Sequence, residues 1–182
     1  MPADGILERR LQKLRHKKDW RRLFCKLVST AIVVYLLFGV IFGIAIVQGD
    51  SMTPAVRSGD IVFFLRLGSS YNLGDIVLIR TEGREDYVKR VCALPGQTVE
   101  IDDEQGRLLV DGEPAIEPYA YSETYGKTGV SYPLTLAQDE YFCLGDNRSN
   151  SLDSRNYGSV SEEQIDGKAL AFFRIFRCRQ RR

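Results

Sequence analysis

The pattern of apolar and polar positions divides this chain into two parts. Residues 27–47 form an unbroken apolar run without a charged side chain. At a rise of about 1.5 Å per residue, a helix of that length spans roughly 30 Å, which is about one hydrocarbon core. The run therefore predicts a single N-terminal transmembrane helix.

Beyond residue 47 the apolar residues occur in short runs instead, rich in branched and aromatic side chains and bounded by Gly, Asp, Asn or Pro, which is typical of strands. The clearest predicted strands are residues 61–65, 75–79, 87–91 and 108–110. A hairpin ribbon is predicted from 99–102 and 108–112, a short helix from Ser161, and a last strand over 169–176. Residues 48–182 are thus expected to form one all-β domain.

Charge predicts how the chain is oriented in the membrane. The net charge is only +1, but residues 1–26 carry 9 basic and 3 acidic side chains. The positive-inside rule keeps such a segment in the cytoplasm and places the β domain outside. A cleaved signal peptide is the alternative, but its apolar core would be unusually long, and residues 45–49 fit a small-x-small cleavage site poorly.

The cysteine and histidine residues limit which catalytic and metal sites the predicted outer domain can contain. Cys92, Cys143 and Cys178 lie in the predicted outer domain without metal-ligand spacing and are expected to be buried thiols; a Cys92–Cys143 bridge stays open. The single histidine, His16, is on the predicted cytoplasmic side. A Ser-His-Asp triad and a histidine zinc site are therefore excluded outside, and no metal or cofactor is expected.

A serine stands just after the apolar run, in Gly49-Asp50-Ser51-Met52-Thr53-Pro54. Without histidine, a nucleophilic Ser51 needs another base, and Ser-Lys dyads are an established variant. The predicted outer domain offers only Lys89, Lys127 and Lys168.

The three lysines differ in their predicted surroundings. Lys127 lies in a Gly- and Tyr-rich loop over 119–132, where we expect a solvated, protonated amine with an ordinary pKa. Lys168 is expected to be a surface charge. Lys89 lies mid-strand on the same face as Tyr87 and Val91, and burial there would lower its pKa. A strand lysine alone is usually a structural or solvated residue, but the absence of histidine favours Lys89 as the base.

Four segments in the same order resemble the sequence boxes of bacterial type I signal peptidases, the Ser/Lys serine proteases of family S26. They are Ser51-Met52-Thr53-Pro54, residues 74–77, residues 87–96 and residues 145–155. The resemblance covers the whole chain and is closest to the compact form common in Gram-positive bacteria. It implies a signal-peptidase/LexA-like β fold with one N-terminal transmembrane helix.

The resemblance also implies roles for individual residues. Ser51 would be the nucleophile and Lys89 the general base. The Ser151 hydroxyl would orient the amine, and Tyr87 would shield it from solvent.

It further implies that the Ser51 backbone amide donates to the oxyanion. The side-chain donor that some family members carry two residues earlier is replaced by Gly49. Two supporting ion pairs are implied, Asp153 with Arg155 and Arg90 with Asp146.

The expected function is removal of N-terminal signal peptides from exported preproteins at the outer face of the cell membrane. Expected partners are preproteins and the lipid bilayer, with the protein translocation machinery as a further candidate and no nucleic acid. Two alternatives stay open: a peptidase dedicated to one pilin or surface-protein system, and a non-catalytic anchored β domain that binds exported proteins. A LexA-like self-cleaving protease would share the fold and the Ser/Lys pair, but the predicted membrane anchor in place of a DNA-binding N-terminus argues against it.

Overall fold

The structure is a computed structural model that describes residues 3–68, 70–81 and 86–174, with side chains from residue 19 onward. The chain forms two compact units, which divide after Ile41. The first unit is helical: α1 spans Ala3–Tyr35, and Leu36–Ile41 continues as a π-helical turn. Within it, Asp19–Ile41 is long and apolar enough to cross a membrane.

The helix ends earlier than the sequence analysis predicts. Residues 42–46, assigned above to the transmembrane helix, form strand β1 (Phe42–Ile46) and pair with β2 (Ile61–Leu65). The prediction of a helix up to residue 47 is therefore wrong at its C-terminal end. An apolar run satisfies a membrane helix and a buried strand equally well, so hydropathy does not locate the change from one to the other.

The second unit, from Phe42 onward, confirms the all-β prediction. After β1 and β2, its strands are β3 Ile76–Ile79, β4 Tyr87–Ala93, β5 Thr98–Asp102, β6 Arg107–Val110, β7 Glu113–Pro114, β8 Leu134–Thr135, β9 Glu140–Leu144, β10 Val160–Ser161 and β11 Ile165–Phe173. The helical pieces are a 3₁₀ turn at Arg148–Asn150, α2 at Ser154–Tyr157 and a 3₁₀ turn at Glu162–Gln164.

Two antiparallel sheets make up this unit. The larger has the order β1-β2-β11-β3-β4-β9-β10, and the smaller has the order β7-β6-β5-β8. The predicted ribbon is confirmed as the β5–β6 pair, and the predicted short helix as the 3₁₀ turn capped by Ser161. The last strand begins at Ile165, earlier than predicted, while residues 175 and 176 of the prediction lie outside the described residues, as does Cys178.

The apolar core is divided into clusters on which the site rests. One contains Met52, the residue that follows Ser51 in the chain, together with Val56, Val62 and Phe64. Another contains Val91 and Cys143, which pair across β4 and β9. Cys92 and Cys143 are buried free thiols in separate clusters. The open question of a bridge is answered by this arrangement: the two are not bonded.

Candidate active site

Ser51 lies in a tight turn between β1 and β2. Gly49 opens the turn with φ +84°, a left-handed conformation that favours glycine. The Thr53 amide donates to the Asp50 carbonyl at 3.2 Å, and the Val56 amide to the Met52 carbonyl at 2.9 Å. Because Met52 and Val56 are buried, they fix the turn to the core, and Ser51 is left partly exposed at its surface.

Lys89 lies in the middle of β4, a central strand flanked by β3 and β9. It is directly opposite Val77 of β3 and only 3% exposed. Burial lowers the pKa of its amine to about 8, since desolvation penalises the ammonium form. About a tenth of the amine is therefore neutral at pH 7, far more than for a solvated lysine.

These two side chains meet. The Lys89 amine donates to the Ser51 hydroxyl oxygen with an Nζ to Oγ distance of 2.8 Å. The Tyr87 ring lies beside the amine, with its centroid 5.3 Å from Nζ, and stacks on Tyr157 at 6.3 Å. A buried amine with a lowered pKa is thus within proton-transfer distance of a serine hydroxyl.

Ser151 lies close to the Ser51 backbone, with Gly145 between them. A β-carbon built on Gly145 would lie 2.2 Å from the Ser151 hydroxyl oxygen and 2.6 Å from the Ser51 carbonyl oxygen. Only glycine fits between these two segments. The Ser151 hydroxyl is buried, and within the described residues it has no hydrogen-bond partner of standard geometry.

The segment that carries Ser151 is fixed by a buried ion pair. Arg155 binds Asp153 through two hydrogen bonds of 2.9 Å, and both side chains are almost fully buried. Asp153 also accepts from the Gly145 amide at 3.2 Å and caps α2. Burial alone would raise the pKa of this carboxyl, but the hydrogen bonds and charge of Arg155 hold it below its ordinary value.

The second expected ion pair is also present. Arg90 binds Asp146 through two hydrogen bonds of 2.8 and 2.6 Å, and its guanidinium lies 4.2 Å from the centroid of the Tyr119 ring. Burial opposes the charge, but the bonds to Asp146 raise the pKa of Arg90 above its ordinary value. The pair holds the start of the segment 145–155 against β4.

A cleft of about 430 Å³ opens onto Ser51 and Lys89. One wall is residues 45–48, at the end of β1, and the other is residues 86–88, at the start of β4. Leu78, Asn150 and Leu152 complete the lining. Because β1 is the first strand of its sheet and pairs only with β2, its other edge is unpaired among the described strands.

The sequence matches the family described as signal peptidase, peptidase S26, over residues 20–174. The chain belongs to this family. It is 34% identical to signal peptidase I P of Bacillus subtilis subsp. natto, over 88% of this chain and 91% of that protein. It is also 34% identical to signal peptidase I S of Bacillus subtilis strain 168, over 84% and 89%.

Among solved structures, a signal peptidase I from Enterococcus faecalis V583 matches with 29% identity and a TM-score of 0.46, over 56% of this chain and 97% of that one. The sequence relatives make the protein a serine peptidase of the signal peptidase I class, a hydrolase. Family membership supports removal of signal peptides as its activity.

Two expectations for Lys127 in this signal peptidase are wrong, namely that its amine is solvated and that its pKa is ordinary. Its amine is partly buried and donates a hydrogen bond to the backbone carbonyl of Ser151, instead of lying free in solvent. Desolvation also lowers its pKa. The sequence pattern missed this because the contact joins residues far apart in the chain, across a loop without periodicity. Lys168 is 40% exposed and pairs with Asp75, as a surface charge does.

Sequence reasoning also missed the role of Arg148. Its side chain is buried and binds Glu117 at 2.9 and 2.7 Å, the Gly145 carbonyl at 2.9 Å, and the Thr124 hydroxyl. Its position within the sequence box 145–155 was the one available signal. Among the described residues, no group of three or more His, Cys, Asp or Glu side chains is arranged to hold a metal ion.

Proposed function

We propose that this protein is a membrane-anchored serine endopeptidase that removes signal peptides from exported preproteins, with Ser51 as nucleophile and Lys89 as general base. The observation that carries the proposal is the 2.8 Å hydrogen bond between a buried lysine amine and the Ser51 hydroxyl. An ion-paired or solvated lysine would stay protonated, whereas this amine is desolvated, with a pKa near 8.

The reaction follows from this contact. The neutral Lys89 amine accepts the proton of Ser51 as Oγ attacks the scissile carbonyl carbon, and the resulting ammonium then donates that proton to the leaving amine as the C–N bond breaks. The acyl enzyme on Ser51 is hydrolysed by a water that Lys89 deprotonates in turn. Acid-base assistance of this kind contributes about 10²- to 10⁴-fold to the rate.

Supporting residues have separate roles in this proposal. Ser151 is buried close to the Ser51 backbone, and its proposed role is to orient the Lys89 amine, which Tyr87 covers on one side. The Asp153–Arg155 and Arg90–Asp146 pairs hold the Ser151 segment in place. These four charged side chains position the reacting groups and do not themselves transfer protons.

The Ser51 backbone amide is the proposed oxyanion donor. It makes no hydrogen bond within the part of the chain that the structure describes, so it is available to a developing negative charge. Gly49 supplies no hydroxyl. Gln48 and Asn150 also line the cleft, and their side-chain amides carry N–H groups that can donate to an oxyanion.

We propose that the substrate binds as an extended strand in the cleft, along the unpaired edge of β1. Main-chain hydrogen bonds of that type are independent of sequence, and the side chains that line the cleft then select what fits. Ala45, Val47, Leu78 and Val88 provide an apolar lining close to the nucleophile. Such a surface accepts small apolar side chains before the cut.

The helical unit is the proposed membrane anchor, ending at Ile41 where β1 follows. Residues 1–26 would remain cytoplasmic because of their excess of basic side chains, and the β unit would lie on the outer face of the cell membrane. Confinement of enzyme and signal peptide to one bilayer raises their effective concentration. The lipid bilayer and the protein translocation machinery are accordingly proposed as partners.

The test is cleavage of a preprotein with an Ala-x-Ala site by the detergent-solubilised protein. We expect cleavage at that site by the wild type and loss of at least about 10²-fold for Ser51→Ala and for Lys89→Ala. Ser149→Ala and Lys168→Ala are matched controls, since both side chains lie outside the proposed dyad, and these variants should cleave normally. A wild type that binds several such preproteins without cutting them would refute the proposal and support a binding role.

A further inference from the structure

Lys127 reaches the Ser151 backbone from a loop 24 residues earlier in the chain. Its amine donates to the backbone carbonyl of Ser151, the residue whose hydroxyl lies beside the Lys89 amine in the proposed mechanism. No carboxylate pairs with Lys127 among the described ion pairs. The contact is therefore between a cation and the backbone of the site, not a surface salt bridge.

The loop is held in place on both sides of Lys127. The Gly126 amide donates to the Asp103 carboxylate at 2.7 Å, and the Tyr125 carbonyl accepts from Arg155 at 3.2 Å. Farther along, a β-carbon built on Gly129 would lie 2.6 Å from the Asn156 carbonyl oxygen, so the loop packs directly on α2. A lysine on a loop with these contacts has a defined position.

The charged surroundings of Lys89 give this position a chemical consequence. The ionisable groups whose charges act on the Lys89 amine are Asp153 and Arg155 of the α2 segment, the Cys143 thiol of β9, and Lys127 of the loop. Burial is the largest cause of its lowered pKa; Asp153 opposes that shift, and the positive charges of Lys127 and Arg155 support it. The charge of Arg155 is tied to Asp153, which leaves Lys127 as the cation that acts on Lys89 without an attached carboxylate.

We propose that Lys127 is a positioning residue of the site: its ammonium group, carried by a fixed loop, holds the Ser151 backbone and keeps a positive charge within the site. This inference rests on the proposed Ser/Lys function. It differs from a catalytic role, because Lys127 touches neither Ser51 nor the proposed substrate cleft in the described contacts.

The first test is the pH dependence of kcat/KM for preprotein cleavage by Lys127→Met and Lys127→Arg. Loss of the positive charge in Lys127→Met should move the midpoint of the rise with pH upward by about half a unit, a roughly threefold loss at pH 7. Lys127→Arg keeps the charge and the hydrogen-bond donor, so its midpoint should match the wild type. Lys168→Met is the matched control, since it removes a lysine charge elsewhere.

Each outcome bears on the inference. An unchanged midpoint in Lys127→Met overturns it, and so does an equal shift in Lys168→Met, which would indicate an effect of net charge alone. Inactivity of Lys127→Arg also overturns it, because arginine is not deprotonated in proteins and its failure would make Lys127 a proton carrier. Thermal unfolding checks that the variants are folded at the pH of the assay.

A second measurement does not need turnover. Competitive labelling of the Lys89 amine with acetic anhydride over a series of pH values, read by mass spectrometry in the Ser51→Ala background, reports the titration of Lys89 directly. We expect the labelling midpoint to rise when Lys127→Met is added, and an unmoved midpoint would refute the inference. If Ser51→Ala still cleaves the preprotein, the proposed function fails, while the labelling result on Lys127 stands by itself.

Discussion

Two buried cations near the site have opposite surroundings. Arg155 is 1% exposed and holds Asp153 through two hydrogen bonds. Lys89 is 3% exposed, and among the ion pairs of the described residues none includes it; its polar contact is the Ser51 hydroxyl. One buried charge is compensated by a carboxylate, and the other is not.

The presence or absence of a carboxylate partner decides whether a buried basic side chain supports the fold or can act as a base. A buried cation with a bidentate carboxylate stays charged and fixes the backbone around it, as Arg155 and Asp153 do for the segment of Ser151. A buried amine without such a partner loses its proton at lower pH and becomes able to accept one. Burial therefore has opposite consequences in adjacent parts of one site: Arg155 stays charged, and Lys89 can lose its proton.

The largest expected effect comes from making the Lys89 region resemble the Arg155 region. Lys89→Arg keeps a basic side chain at this position of β4, but the arginine guanidinium stays protonated in proteins and cannot accept a proton. We expect kcat for preprotein cleavage to fall by about 10²- to 10⁴-fold. Single-turnover kinetics, together with thermal unfolding to show that the variant folds, measures this. Retention of most of the activity would mean that Lys89 is not the base.

The second-largest expected effect comes from removing the carboxylate that pairs with Arg155. Asp153→Asn leaves that guanidinium buried without its charge partner, which we expect to cost about 3–5 kcal/mol in the free energy of unfolding. Circular dichroism of the detergent-solubilised protein during denaturation gives this value.

Asp166→Asn is the control for that change. Asp166 pairs with Arg80 and Arg66, whose side chains are 62% and 35% exposed, and loss of each of these solvent-accessible pairs should cost less than about 1 kcal/mol. Equal losses in the two variants would contradict the contrast between a buried pair and an exposed one.

The smallest expected effect is the pH response that distinguishes the two cations. Because the pKa of Lys89 is about 8 when folded, kcat/KM should rise with pH and level off above a midpoint near 8. A pH–rate profile measures this, and a midpoint near the ordinary lysine value of 10.5 would contradict the buried-amine interpretation.

Stability should change with pH in a matching way. The folded pKa of Lys89 lies below its unfolded value, so its destabilising contribution is fully present below about pH 8 and disappears as pH rises toward 10.5. Lys89→Met should therefore raise stability at pH 7, by up to about 3 kcal/mol. Asp153, with its lowered pKa, contributes stability that is lost as pH falls below the ordinary carboxyl range.

Much of the β unit could be predicted because its strands are short runs of branched and aromatic residues. β2 has the predicted bounds, and the β5–β6 ribbon forms as expected. The contact of Ser51 with Lys89 was expected from the sequence boxes and from the lack of another base. Burial of Lys89 followed from its place on a strand face with apolar neighbours.

The rest depends on contacts that have no local signal. β1 was assigned to the anchor because its residues are as apolar as the helix before it. Pairing of Phe42–Ile46 with β2 is a tertiary choice, and so is the approach of Lys127 to Ser151 across 24 residues of chain. The buried Arg148–Glu117 pair likewise joins a sequence box to a loop outside every box.

Cys143 is a buried thiol whose chemical modification can report on opening of the fold. The thiol is fully buried opposite Val91, and burial raises its pKa far above that of a free cysteine. In the closed fold it is inert to alkylating reagents and dissolved oxidants, which attack thiolates. Modification of Cys143 by a maleimide, read at that residue by mass spectrometry because Cys25 and Cys92 are also free thiols, therefore measures how often β4 and β9 separate.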